Sequence, residues 1–199
     1  MFVNSINANL RRVPKWFVYL MLLLPVPWLL YLGLTGVLGR DPIERLEHEL
    51  GKLGLQLLIA TLAVSPLNRF WGIKLLKFRR VLGVMTFVYI SLHLLVWLVL
   101  DVQILSQIWA DIVKRPYITI GMSAFLIMLP LAITSNDLSV RRLGVRWRQL
   151  HKLVYVAVIL GVLHFLWLTK GFQLEPLIYA VIVIMLLALR IRRPRRRTT

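Results

Sequence analysis

Cysteine is absent from all 199 residues. Its absence excludes disulfides, thiolate zinc sites, cysteine-held iron–sulfur clusters and thiol redox relays, including a quinone-linked oxidase built on paired cysteines. Acidic residues are scarce as well: eight Asp and Glu stand against twenty-five Lys and Arg, a formal net charge of +17. Long polar stretches are missing, since no segment between apolar runs is longer than about 15 residues, so no extramembrane domain is expected. Nor does a glycine-rich fingerprint follow any strand-like run, so a nucleotide-binding domain is not expected.

What the chain has in excess is apolar surface: 59% of its residues are hydrophobic and its mean hydropathy is +0.75. A soluble domain of this length could not hide that much, whereas a bilayer can. About 20 mainly apolar residues cross a hydrocarbon core, and six segments qualify, roughly 16–34, 48–67, 81–100, 117–134, 150–168 and 174–189. Pro25 and Pro27 predict a kink in the first, which has no small-residue cleavage motif after it and reads as a retained helix rather than a signal peptide. The expected fold is an all-α integral membrane six-helix bundle. It divides into a short N-terminus (1–15), a transmembrane domain (16–189) and a basic tail (190–199).

The charges sort by side. Arg11, Arg12, Lys15, Arg69, Lys74, Lys77, Arg79, Arg80, Arg141, Arg142, Arg146, Arg148, Lys152 and six tail arginines fall on one side, with Asp137 as the single acid. The other side holds the remaining six basic residues and seven acids: Asp41, Glu44, Glu47, Glu49, Asp101, Asp111 and Glu175. The positive-inside rule then places both termini in the cytoplasm of a multi-pass inner-membrane protein. The basic clusters set topology and touch anionic membrane lipid; none is long enough to form a groove for nucleic acid, so no nucleic-acid partner is expected.

Three histidines, His93, His151 and His164, lie inside apolar runs, where ionisable residues are costly and usually functional. Imidazole is a common axial ligand of haem iron. At a rise of 1.5 Å per residue, His93 lies about 20 Å and His164 about 24 Å from the basic side, on two different helices, while His151 lies only about 5 Å in. His93 and His164 thus match in depth, as a bis-imidazole haem requires. His151 precedes His164 by 13 residues, an offset of about 140° on a regular helix. It serves a second, inner haem only if the helix is locally distorted or the two haems lean toward different neighbours, and that inner haem lacks an evident sixth ligand. Arg79 and Arg80 lie at the matching depth and are candidates for clamping propionates. His48, flanked by Glu47 and Glu49, is a candidate outer-face ligand or partner site.

Trp71, Trp147 and Trp167 fall near expected interfaces and read as anchors; Tyr89 and Trp97 read as packing around His93. No serine has a base and an orienter beside it, so triad chemistry is not indicated. No carboxylate neighbours the intramembrane histidines, which argues against metal-dependent hydrolysis. No catalytic residue is expected.

Several stretches resemble one family closely. They are Asp41-Pro42 through Glu47-His48, Arg79-Arg80-Val81-Leu82-Gly83, Ser91-Leu92-His93-Leu94, Arg115-Pro116-Tyr117-Ile118-Thr119-Ile120-Gly121, Arg146-Trp147-Arg148-Gln149-Leu150-His151, Leu163-His164-Phe165-Leu166-Trp167 and Pro176-Leu177-Ile178-Tyr179-Ala180. In order and over nearly the whole chain they are similar to the haem-binding membrane subunits of bacterial methionine sulfoxide reductase systems. These belong to the ferric reductase-like transmembrane group, related to NADPH oxidases.

The resemblance implies b-type haem, one or two per chain, held by His93, His151 and His164. It further implies electrons drawn from the quinone pool or a cytoplasmic flavin reductase and delivered to a periplasmic molybdopterin enzyme, MsrP, that repairs oxidised methionine in proteins. FMN is implied by the resemblance alone. The cytoplasmic FAD and NADPH domains of some relatives are not found in this chain. Two other readings stay open on the residues: a quinol-linked cytochrome b or ferric reductase with another acceptor, and a small transporter or assembly subunit whose histidines relay protons.

Overall fold

The computed structural model describes residues 2–168 and 173–190. Eleven α-helices follow one another: α1 (Phe2–Arg12), α2 (Lys15–Leu23), α3 (Pro25–Leu34), α4 (Pro42–Trp71), α5 (Arg79–Val96), α6 (Leu105–Lys114), α7 (Pro116–Ile133), α8 (Asp137–Leu143), α9 (Val145–Leu150), α10 (Val154–Leu168) and α11 (Leu174–Ala188). The chain is all-helical among the described residues. Five stretches there are long and apolar enough to cross a membrane: Lys15–Leu34, Pro42–Trp71, Leu76–Val102, Pro116–Ile133 and Val145–Leu168. The sixth expected span, α11, has 15 residues, about 22 Å of helix against a hydrocarbon core of about 30 Å. Five of the six segments therefore meet the length requirement and the sixth falls short of it. Of the basic tail, only Arg190 lies within the described residues.

The first span breaks where its prolines predict, with α2 ending at Leu23 and α3 starting at Pro25. Proline has no N–H to continue the helical ladder. Beside this break, Tyr89 of α5 donates its hydroxyl to the Leu22 carbonyl at 2.7 Å. Tyr89 is fully buried, so its polar tip finds a partner as a buried phenol must.

Two helix pairs form the centre. α4 packs along α5, and α7 packs along α10. Between them runs one core cluster that includes Leu55, Leu58 and Leu62 of α4, Met128 and Leu131 of α7, Val154 and Val158 of α10, and Val183 of α11. A second cluster joins Leu29 of α3, Leu46 and Leu50 of α4, and Val81, Met85 and Tyr89 of α5. α4 belongs to both and is the axis of the bundle. It approaches α5 closely at Gly54, where an added Cβ would lie 2.8 Å from Ile90 Cγ2. Small residues allow such approaches between membrane helices, where packing takes over from the hydrophobic effect.

Three helices lie outside the six apolar segments. α1 docks on the α4–α5 connection: Asn7 Nδ2 donates to the Gly72 carbonyl at 3.0 Å, and the Lys74 N–H donates to Asn7 Oδ1 at 2.9 Å. Gly72 stands at φ +68°, a left-handed helix cap that glycine adopts without a Cβ penalty. α6 is amphipathic and leaves Leu105, Trp109 and Val113 exposed at intervals of four residues. α8 begins at the N-cap Asn136, whose side chain accepts from the Ser139 N–H.

The close approach at Gly54 generates a test. Gly54→Leu forces α4 from α5 and should cost about 1–3 kcal/mol by overpacking, read as a lowered thermal midpoint in detergent. Gly161→Ala, whose Cβ would meet only Leu55 Cδ1 at 3.7 Å, should leave the midpoint unchanged.

Candidate functional site

His93 projects from α5 and His164 from α10, one from each central pair. Their ring centroids lie 6.2 Å apart with the planes at 77°. The match in depth expected from the helical rise is therefore a contact in the fold.

Each ring is held in the same way. His93 Nδ1 lies 2.9 Å from the Glu47 carbonyl of α4, and His164 Nδ1 lies 2.7 Å from the Tyr117 carbonyl of α7. A carbonyl only accepts, so Nδ1 is the protonated nitrogen in both rings, and Nε2 keeps its lone pair. Metal-bound histidines are oriented and tautomerised in just this way, by a backbone acceptor on the far nitrogen.

Glycine makes the contact possible. In an α-helix the carbonyl of residue i points to the N–H of residue i+4. The residue four after Glu47 is Gly51, and the residue four after Tyr117 is Gly121. A Cβ on Gly51 would lie 3.0 Å from His93 Nδ1, and one on Gly121 would lie 2.7 Å from His164 Nδ1. Each ring thus rests on a bare patch of the neighbouring helix. The ring follows its carbonyl by 46 residues in one pair and 47 in the other. The two pairs are a structural repeat that the sequence alone did not disclose. Its one signal was a glycine in the middle of an apolar helix, which marks close approach.

The donor set fits a porphyrin iron. A metal–imidazole bond of about 2.0 Å, with about 1.1 Å from each nitrogen to its ring centre, sets two trans imidazole centroids about 6 Å apart. The 6.2 Å separation meets that requirement. Among the described residues no group of three or more His, Asp or Glu is placed to hold a metal. Two imidazoles alone underfill zinc, which takes three or four protein ligands, whereas a porphyrin brings its own in-plane nitrogens and needs only axial ones.

The other sequence candidates lie elsewhere. His48 is half-buried and stands within electrostatic reach of both His93 and His164. His151 is not brought to the pair. It lies in a 3₁₀ turn, His151–Leu153, between α9 and α10, which is the local distortion its offset called for. A 3₁₀ turn advances about 20° more per residue than an α-helix, so three residues reduce the 140° offset to about 80°. Its Nε2 lies 3.0 Å from Thr134 Oγ1, while that hydroxyl donates to the Pro130 carbonyl at 2.6 Å. Nε2 is then the donor, the opposite tautomer from the paired rings.

Trp147 is tied within the fold: its Nε1 donates to the Thr134 carbonyl at 2.8 Å, and its ring stacks on His151 at 3.9 Å. Trp71 and Trp167 are exposed. The two arginines also part company. Arg80 pairs with Asp137 at 2.8 Å, which holds that carboxyl below the usual carboxylate range. Arg79 turns inward, into electrostatic reach of His151, Tyr155 and Arg190.

The acidic end has its own ties. Lys52 bridges Glu49 at 3.3 Å and Glu175 at 3.1 Å, and Gln56 Nε2 donates to Tyr179 Oη at 2.7 Å. Both contacts moor α11 to α4. Just past His93, the chain continues into a π-helical stretch, Trp97–Val102; such bulges concentrate at functional sites. Trp97 is buried there.

Comparison with known proteins gives the family. The family described as "Ferric reductase like transmembrane component" matches residues 50–162. Curated proteins from Brucella ovis, Brucella canis and Brucella suis, each called "Protein-methionine-sulfoxide reductase heme-binding subunit MsrQ", are 48% identical over 184 residues. The alignments cover 92% of this chain and 84% of each relative. No solved structure matches. Two helix pairs that present facing histidines, together with likeness over nearly the full length, establish that the chain belongs to the ferric reductase-like transmembrane family, within its MsrQ group.

Proposed function

We propose that the protein carries electrons across the bacterial inner membrane through b-type haem gripped between His93 and His164. The observation that carries this reading is the 6.2 Å separation of two imidazoles, each locked by a helix carbonyl at Nδ1. When bound, haem would supply reversible one-electron chemistry. The protein's part is placement. Glu47 and Tyr117 hold the protons on Nδ1 and leave Nε2 for iron. Gly51 and Gly121 let the rings lie against α4 and α7. The surrounding apolar helices keep water and dielectric low, which tunes a haem potential.

In this reading both termini are cytoplasmic, residues 16–189 form the transmembrane domain, and the sixth crossing is completed by α11. A short crossing is accommodated by local thinning of the bilayer. α6 lies in the outer interface with Leu105, Trp109 and Val113 in lipid. The paired histidines then sit toward the periplasm, behind an acidic rim that includes Glu44, Glu47, Asp101 and Asp111. The acceptor is the periplasmic molybdopterin enzyme MsrP, steered by that rim, in repair of oxidised periplasmic protein methionines. The donor is the quinone pool or a cytoplasmic flavin reductase at the basic face; FMN rests on family likeness alone. His48 stands at the outer end, as a second ligand or a partner contact. His151, with Arg79, takes an inner haem only if its ring leaves Thr134.

Three outcomes test this reading. First, His93→Ala and His164→Ala should each abolish the bis-histidine haem spectrum of the purified protein; an unchanged reduced-minus-oxidised spectrum in both variants sinks the pairing. Second, Gly121→Ala should lose more haem per chain than Gly51→Ala, because its Cβ would intrude to 2.7 Å on the ring rather than 3.0 Å. Third, the absence of cysteine permits direct topology mapping. A thiol at Leu138→Cys should react with an impermeant maleimide only after the inner membrane is opened, and one at Gln107→Cys should react in intact spheroplasts.

A further inference from the structure

The buried-charge inventory at the basic end does not balance. Arg190 follows the last turn of α11 and folds back between α4 and α10. Its Nη2 donates to the Leu62 carbonyl. That carbonyl is the one orphaned by Pro66, which lies four residues on within α4 and has no N–H to return. Nη1 donates to Tyr155 Oη at 2.6 Å, and the guanidinium carbon lies 5.3 Å from the Tyr155 ring centre. Nε is buried and without a hydrogen-bond partner. Half-buried Arg79, which opens α5, stands close enough to Arg190 for the two cations to repel.

No acid answers them. Of the eight Asp and Glu in the chain, seven belong to the other end, and Asp137 is engaged by Arg80. Among the described residues neither Arg79 nor Arg190 forms an ion pair. Buried charges are ordinarily paired, because desolvation without a counter-charge costs several kcal/mol. Tyr155 Oη accepts from Arg190, so its own proton is left to donate. The Arg190 fork with its spare Nε–H and the Tyr155 hydroxyl therefore meet at one point, with Arg79 within electrostatic reach of both.

We propose that Arg190, Arg79 and Tyr155 form an oxyanion site at the basic face, one that takes a phosphate group. Guanidinium forks match phosphate oxygens in pairs, and two adjacent cations suit phosphate, an anion of up to about two charges. Both arginines sit where their helices leave the hydrocarbon. The phosphate reaches them either from an anionic lipid headgroup or from a soluble phosphate compound on that face. The site shares Arg79 with the inner-haem reading of His151 and is independent of the His93–His164 pair.

Arg190 has two jobs, and one substitution separates them. Pro66→Ala returns an N–H to the Leu62 carbonyl, so Pro66→Ala/Arg190→Gln removes the cation without leaving that carbonyl bare. Pro66→Ala alone is the control and should bind as the wild type does. Two probes are applied to the full-length protein with its haem. Inorganic pyrophosphate is titrated by calorimetry in neutral detergent. Phosphatidylglycerol retention is counted by native mass spectrometry after release from phosphatidylcholine–phosphatidylglycerol nanodiscs.

A soluble source predicts pyrophosphate binding that weakens about tenfold or more in the double variant, the scale of a lost charge-assisted hydrogen bond. A lipid source predicts phosphatidylglycerol retained by the wild type and lost from the double variant. Tyr155→Phe should show the same loss in smaller measure. The proposal is overturned if the wild type and the double variant behave alike toward both probes, or if neither probe is held by the wild type.

Discussion

A backbone in hydrocarbon must satisfy its own polar groups, because water is not there to do so. At four places where this chain interrupts or ends a helix ladder, a side chain from another helix answers. The break at Pro25 is met by Tyr89 on the Leu22 carbonyl. The gap that Pro66 opens in α4 is met by Arg190 on the Leu62 carbonyl. The end of α4 at Gly72 is met by Asn7, and the end of α7 at Thr134 is met by Trp147. These contacts join elements far apart in sequence, so the demands of the backbone also specify which helices are neighbours. The histidine pair draws on the same resource, since both rings are oriented by helix carbonyls rather than by side chains.

That dependence on backbone has a consequence for the site. A carboxylate behind each ring would bring a second buried charge and its desolvation cost. A carbonyl brings none, and its position is fixed by the helix it belongs to. The arrangement requires a helix surface with no Cβ at one position, which Gly51 and Gly121 provide. Because α4–α5 and α7–α10 solve the problem identically, the two rings arrive from opposite sides with matching tautomers.

Much of this was legible in the sequence. Hydropathy gave five spans to within a few residues, Pro25 and Pro27 gave the break, and the helical rise gave His93 and His164 the same depth. Depth is a one-dimensional quantity, and a regular helix preserves it. What could not be read were relations that depend on helix rotation and partner choice. The rotation of α5 and α10 that turns both rings inward is one. The split between Arg79 and Arg80, adjacent in sequence but directed to different partners, is another. For Trp147 only depth was available, and its stacking on His151 was not. The amphipathic helices α1 and α6 lie below the length expected of spans; the first falls in the short N-terminus and the second between the third and fourth apolar segments.

The charge asymmetry then acquires a second meaning beside topology. On the basic side, most cations lie at the surface, where water and lipid phosphates compensate them. Arg79 and Arg190 differ because their helices carry them partly inward, next to a proline-made carbonyl and a phenol. A carbonyl and a hydroxyl satisfy hydrogen bonds but supply no net charge. The same fold that neutralises Arg80 with Asp137 leaves these two cations uncompensated, in a half-buried position that an anion can enter from the membrane face. At the opposite end the sign reverses: the histidine pair lies beneath carboxylates, and Lys52 is already occupied by Glu49 and Glu175. The two ends of the bundle therefore carry charge of opposite sign.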